Sequence, residues 1–244
     1  MCRRLFSQLV LSDIPTLYYS HVSPPARATY MLIKTLGIDV NIKNVDLMTK
    51  DYVTPDLLKA NPQHTIPTLV DGNYSIWDSH AISGYLVNQY GKNDSLYPIN
   101  PRRRAVVDQR LHFDTEHLFP KINEIIHPIL FRGKRDIPLI SRKKVMRTYL
   151  TLENFLTTSL WLAGGDLTIA DICCIASITT LDYVIPICQK TTPNLYEYMK
   201  RCSRLPHYDD TIQTGVDHLG GKIQENLITS YIKHYTVNRN SEYE

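Results

Sequence analysis

Thr16-Leu17-Tyr18-Tyr19-Ser20-His21-Val22-Ser23-Pro24-Pro25-Ala26-Arg27 is the stretch on which the fold turns. Residues 16–20 form a short β-prone run. Ser23 is a good helix N-cap, and Pro24 suits the first helical position, where a missing N–H does no harm. Apolar spacing through Met31, Leu32 and Leu36 then carries a helix to Gly37. A strand running straight into a helix opens an α/β unit. Working outward, residues 39–45 alternate apolar and polar as a second strand should, and Leu57-Leu58 mark a short helix that Asn61-Pro62 breaks. Thr68-Leu69-Val70 and Tyr74-Ser75-Ile76-Trp77 flank Asp71-Gly72-Asn73, whose Asp-Gly pair predicts a hairpin. A helix is predicted from Ser79 to Tyr90, ended by Gly91. Parallel β-α-β followed by a hairpin and a helix is the order a thioredoxin-like domain requires. Ile66-Pro67 stands just before the third strand, where a cis peptide would turn the chain and expose a backbone edge.

Beyond Gly91 the chain becomes polar and punctuated by proline, through Tyr97-Pro98-Ile99-Asn100-Pro101, which predicts an interdomain linker. Periodic helical segments then cover residues 102–131, 141–160 and 168–184, with shorter ones near 194–202 and 220–234. The expected organisation is an extension at 1–15 read as disordered, a thioredoxin-like domain at 16–91, a linker at 92–101, an all-helical domain at 102–235 and a polar tail at 236–244. The fold class is thus α/β followed by all-α.

The 244 residues are 43% apolar and 21% charged, enough to bury real cores in one large or two ordinary domains. A net charge of +3, with basic residues dispersed except at Arg102-Arg103-Arg104, leaves no nucleic-acid footprint. No apolar run is long enough to span a membrane. Five cysteines without a C-x-x-C pair or a metal-ligand spacing point to a reducing, cytoplasmic compartment and no metal. Residues 1–15 carry Arg3, Arg4 and two serines with no acid before Asp13, so mitochondrial targeting stands beside the plain-extension reading.

Four segments can carry chemistry. Ser23 is either a plain cap, which position alone favours, or a hydroxyl that donates to a ligand thiolate beside the positive end of a helix. Asp78-Ser79-His80 opens a helix, a site for a carboxylate, while Asp78 suits a ligand ammonium; taken alone, plain capping is the favoured reading. The loop Asn61-Pro62-Gln63-His64-Thr65-Ile66-Pro67 offers main-chain groups to an extended peptide, with Ile66 as the pairing residue and His64 within reach of a carboxylate. Thr168-Ile169-Ala170-Asp171 fits a capping box, structural in role and worth on the order of 1 kcal/mol. Phe119, Ile122, Ile126, Ile129 and Leu130 share a helix face that suits core or pocket, with Asn123 and His127 placed for a pocket rim.

Taken in order, Ser23-Pro24-Pro25-Ala26-Arg27, Asn61 to Pro67, Asp78-Ser79-His80-Ala81-Ile82 and Leu167-Thr168-Ile169-Ala170-Asp171 resemble the insect glutathione transferases of the epsilon class, with the delta class as near relative. The resemblance runs from about Thr16 to Tyr208 and includes residues 104–113. It implies a homodimer with glutathione as co-substrate, a thioredoxin-like glutathione site and a helical domain that supplies a site for a small hydrophobic electrophile. It assigns Ser23 as the thiolate-stabilising residue and Tyr52, His64, Ile66, Pro67, Asp78, Ser79 and His80 as glutathione contacts. Phe119, Ile122, Asn123, Ile126 and His127 fall at the variable hydrophobic-substrate site. Tyr52 departs from the pattern, since relatives often carry a histidine there.

The resemblance implies detoxifying conjugation, with dehydrochlorinase or peroxidase side activity as an extension. A dedicated role in steroid-hormone biosynthesis and a non-catalytic carrier of apolar ligands are the alternatives. A thiol-disulfide oxidoreductase is the weaker rival, because that chemistry needs a cysteine where Ser23 stands.

Overall fold

The computed structural model describes residues 14–49 and 52–226; the expected extension up to residue 13 and the polar tail at 236–244 lie outside them. Strand β1 (Thr16–Tyr19) leads through a tight turn into α1 (Pro24–Leu36), followed by β2 (Asn41–Asn44), α2 (Pro55–Ala60), β3 (Thr68–Asp71), β4 (Tyr74–Trp77) and α3 (Ser79–Tyr90). The sheet order is β2-β1-β3-β4, with β1 parallel to β2 and antiparallel to β3, and the β3–β4 hairpin closes one edge. Alternation puts Leu17 and Leu69 at 0% exposure on one sheet face, where Met31, Leu32 and Ile33 of α1 and Ile82 and Leu86 of α3 cover them. Gly37 ends α1 at φ 68, a left-handed conformation that lets its N–H satisfy Lys34 O and Ile33 O. Asp71, at the hairpin, accepts hydrogen bonds from the Tyr85 and Tyr90 hydroxyls of α3, which ties the turn to that helix.

The helical domain comprises α4 (Pro101–Phe113), a π-helical turn (Asp114–Leu118), α5 (Phe119–Phe131), α6 (Leu139–Phe155), α7 (Ile169–Val184), α8 (Pro193–Cys202), a second π-helical turn (Asp209–Gln213) and α9 over residues 214–226. Periodicity predicts one continuous helix over residues 102–131, and the π-turn instead inserts an extra residue near its middle. Helix α7 is buried from Ile169 through Leu181, so it is the axis of the domain rather than an amphipathic surface helix. It also joins the two domains, because α1 packs along it.

Arg27 lies at that junction with 0% exposure, its Nη2 donating to Ala176 O and Thr180 Oγ1 of α7. Burial, offset in part by Tyr19 and Tyr208, pushes its pKa down to about 10. Helix α9 closes over the same place. A Cβ at Gly215 would stand 2.3 Å from Arg27 Cδ and 2.4 Å from His21 O, so only glycine lets α9 approach the β1–α1 turn this closely.

Candidate active site

The β1–α1 turn brings Ser23 to the base of a cavity of about 380 Å³ between the two domains. Its backbone is extended (φ −89, ψ 114) and its side chain is almost fully covered. The N–H groups of this helix start can be fully accounted for. Ser23 N–H donates to Ser20 O, Pro24 and Pro25 have none, and Ala26 N–H donates to Ser23 Oγ at 3.4 Å. The positive end of α1 therefore offers a ligand its dipole but no free amide, and the Ser23 hydroxyl is the donor available. That hydroxyl donates at 3.3 Å to Ile66 O, a long bond that a stronger acceptor can replace.

Asn61 builds the opposite wall. The sequence pattern marks it as a helix breaker, but it is fully buried, with Nδ2 within 3.2 Å of Thr65 O, Thr65 Oγ1 and Thr68 Oγ1 and Oδ1 accepting from Gln63 N. These bonds hold the loop in which His64 takes φ 46 and the Ile66–Pro67 peptide is cis. Tyr52 and His64 stand together at the mouth, ring centroids 6.5 Å apart, and Gln63 Oε1 accepts from Trp77 Nε1 at 2.8 Å.

Asp78 is the third wall, at φ 73, so two of the three non-glycine residues with positive φ among the described residues, His64 and Asp78, line this cavity. Asp78 Oδ1 caps α3 by accepting from His80 N and Ala81 N at 2.9 and 3.1 Å, and Ser79 occupies the first helical position beside it. His80 bridges the domains. Its Nε2 meets Asp114 Oδ2 at 3.0 Å and its Nδ1 meets Thr115 Oγ1 at 3.1 Å. Asp114 is buried, and its Oδ1 has no partner among the described residues. Asp114 and Thr115 reach the cavity because the π-turn aims them there. Nothing in the sequence distinguishes them from solvated helix residues.

Burial opposes the charged form of His80, but the hydrogen bond and charge of Asp114, with Asp78, raise its pKa above the ordinary 6.5. The folded state thus holds the proton more tightly than the unfolded chain. The resulting stability is fully present below about pH 6.5 and is lost as the pH rises through the higher folded value. His80→Ala is expected to lower stability by about 1 kcal/mol in mildly acidic solution. The difference in melting temperature from the wild type should narrow as the pH rises through the folded-state value; a difference that does not change with pH would exclude a charged pair.

The expected electrophile site needs correction. Phe119 does line the cavity, but Ile122 and Ile126 are 5% and 3% exposed within the helical-domain core. Asn123 and His127 are exposed away from the cavity, His127 stacking on Phe131 at 4.8 Å. The reason is that α5 leaves the cavity after its first turn and is held between α6 and α7. Leu47, Pro25 and Thr115 join Phe119 on the lining instead. No cysteine among the described residues lines the cavity, and Cys173, Cys174 and Cys202 are buried free thiols whose pKa values burial raises.

Residues 15–88 match the family model for the glutathione S-transferase N-terminal domain and residues 107–206 the model for the C-terminal domain. A relative from Manduca sexta, glutathione S-transferase 1, is 46% identical over 206 residues, covering 84% of this chain and 94% of that protein. The chain belongs to the glutathione S-transferase family. Among solved structures, this transferase is similar to an epsilon-class enzyme from the housefly Musca domestica (TM-score 0.84, 38% identity, 87% of this chain and 98% of that one). It is also similar to a glutathione transferase homologue from Drosophila mojavensis with bound glutathione (TM-score 0.83, 37% identity, 87% and 97%). It is closely related to the epsilon and delta insect classes, has their two-domain architecture and is an enzyme that conjugates glutathione to electrophiles. Among the described residues no group of three or more His, Cys, Asp and Glu is arranged to hold a metal, and no helix of the transferase is long and apolar enough to cross a membrane.

Proposed function

We propose that glutathione lies extended in the cavity with its sulfur against Ser23 Oγ. Convergence of three separate chain segments supports this reading: the Ser23 hydroxyl, the loop that ends in the cis Ile66–Pro67 bond, and the Asp78-Ser79-His80 helix start all face one space. The Ile66 backbone is the edge for the peptide, and Ser79 with the start of α3 is the anchor for a carboxylate. Asp78 and the unpartnered Asp114 Oδ1 are acceptors for an ammonium. Tyr52 and His64 serve the far end. The electrophile sits beside Phe119, Leu47 and Pro25, as an apolar lining requires.

In the reaction Ser23 donates to the sulfur, the thiol proton leaves to solvent, and the thiolate forms a bond to the electrophilic carbon as its leaving group departs. The sequence resemblance supports a cytoplasmic homodimer acting on foreign apolar electrophiles. The test is retention on immobilised glutathione, followed by a screen of halogenated, peroxide and steroid-like substrates. Broad turnover of halogenated compounds is expected. Selective turnover of the steroid-like set alone would favour the hormone-biosynthetic alternative, tight ligand binding without turnover would favour a carrier, and failure to bind glutathione would contradict the proposal.

A further inference from the structure

The chain that joins α5 to α6, with the helix ends on either side, runs Phe131-Arg132-Gly133-Lys134-Arg135-Asp136-Ile137-Pro138-Leu139-Ile140-Ser141-Arg142-Lys143. Five cations stand here against one acid, so this corner alone carries more positive charge than the whole chain, whose net charge is +3. Interleaving with apolar residues hides that concentration in the sequence. In the structure all five cations are exposed, and none forms an ion pair with a described residue. Cations elsewhere on the helical domain are neutralised: Arg103, Lys144 and Lys200 pair with Asp166, Glu124 and Glu197. Asp136, the one acid, borders a depression of about 270 Å³ with Arg135 and Arg142 but pairs with neither.

Folding alone does not account for this arrangement. Helix α6 starts at Leu139 with no side-chain cap and no acid in its first turn, and Arg142 and Lys143 follow directly, at the end where the helix dipole disfavours positive charge. Leu139 and Ile140, which occupy that first turn, are 67% and 62% exposed, and Phe131 at the end of α5 is 48% exposed. Three of the nine large apolar side chains that stand exposed among the described residues therefore fall in this one corner. The backbone that presents them is fixed: Arg132 N and Lys134 N both donate to Pro128 O, at 3.0 and 3.1 Å, and Arg142 N donates to Pro138 O at 3.1 Å.

We propose that the α5–α6 corner is a peripheral docking surface for an anionic lipid membrane, with Phe131, Leu139 and Ile140 entering the boundary between headgroups and acyl chains and the five cations lying among the lipid phosphates. Charge complementarity selects the anionic surface, and the apolar side chains select a lipid one. A nucleic acid would engage the cations but leave Leu139 and Ile140 in water, whereas a bilayer interface takes both kinds of group at once. Such docking is interfacial, and so needs no helix long enough to cross the bilayer. Where substrates are apolar, as proposed above, it also brings the transferase to the phase in which they collect; the surface itself does not rest on that reading.

The test is co-sedimentation of the full chain with vesicles of phosphatidylcholine containing about 30% phosphatidylserine, beside vesicles of phosphatidylcholine alone, at about 0.1 M salt. Partitioning onto the anionic vesicles is expected to exceed that onto the neutral ones about tenfold or more. It should fall about tenfold or more in an Arg132→Gln/Lys134→Gln/Arg135→Gln variant, and about fivefold or more in a Leu139→Ser/Ile140→Ser variant. All of these side chains are exposed and remote from the cavity lining, so conjugating activity in solution should stay within about twofold of wild type in both variants. Absence of binding to the anionic vesicles, or equal binding to both kinds, would overturn the proposal. So would loss of binding in the charge variant alone, which marks a site for a polyanion such as nucleic acid, or conversion of a dimer to a monomer by Leu139→Ser/Ile140→Ser, which marks a contact between copies of the chain. Vesicle binding is read without glutathione, so its failure is distinct from a failure of the glutathione site.

Discussion

Ser23→Ala is expected to yield a folded protein that has lost about 10- to 100-fold of its conjugating activity. The magnitude follows from the kind of bond removed, since a hydrogen bond to a charged acceptor is worth about 1.5–3 kcal/mol. Folding should survive because the cap being lost is weak. Ser23 Oγ accepts from Ala26 N at 3.4 Å, so the cost falls near the lower end of the roughly 0.5–2 kcal/mol range for N-cap removal. Pro24 and Pro25 make the effect on activity sharper. At most helix starts a lost hydroxyl would leave backbone amides to bind an anion, but here the first two helical positions have none. Steady-state kinetics beside a thermal melt separates the two effects; full activity in Ser23→Ala would remove the hydroxyl from the mechanism.

Asp171→Ala should have the largest effect on stability, about 3–5 kcal/mol near pH 5, seen as a fall in melting temperature of roughly 10 °C or more. A capping box alone predicts less. The larger figure comes from complete burial and from four donors converging on one carboxyl group: Leu162 N and the Tyr198 hydroxyl on Oδ1, Thr168 N and the Thr168 hydroxyl on Oδ2. Truncation orphans all four where water cannot replace the acceptor.

Burial is the largest influence on Asp171 and raises its pKa from 3.8 to about 6, against the lowering by the bonds from Leu162, Thr168 and Tyr198. The native state therefore binds this proton more tightly than the unfolded chain does. The contribution is full below about pH 4 and is lost as the pH rises through about 6. Melts of wild type and Asp171→Ala should accordingly differ more at pH 5 than at pH 8. A gap that widens with pH would reverse the assigned direction.

What the sequence made legible was local. The strand-to-helix step at Ser23, the Asp71-Gly72 hairpin, the Ser79–Tyr90 helix and the box at Thr168 and Asp171 all show themselves within a few residues, because turn chemistry and capping act over that range. The cavity wall supplied by the helical domain was not legible. Asp114 and Thr115 reach His80 only because a π-turn re-aims one turn of an otherwise regular helix, and no residue type announces that insertion. The same limit explains Ile122 and Ile126. An apolar stripe records that a helix face is covered, and the structure decides whether a core or a ligand covers it. Asn61 was legible as a helix stop but not as the buried amide that shapes the loop, since its partners gather only once the loop has closed.

The central claim is that the Ser23 hydroxyl holds bound glutathione as a thiolate. Spectrophotometric pH titration of the thiolate of glutathione bound to wild type and to Ser23→Ala tests it most directly. Wild type is predicted to titrate at least about one unit below the roughly 8.5 of a free thiol, and the variant to return to within about half a unit of it. The same apparent pKa in both proteins would contradict the account.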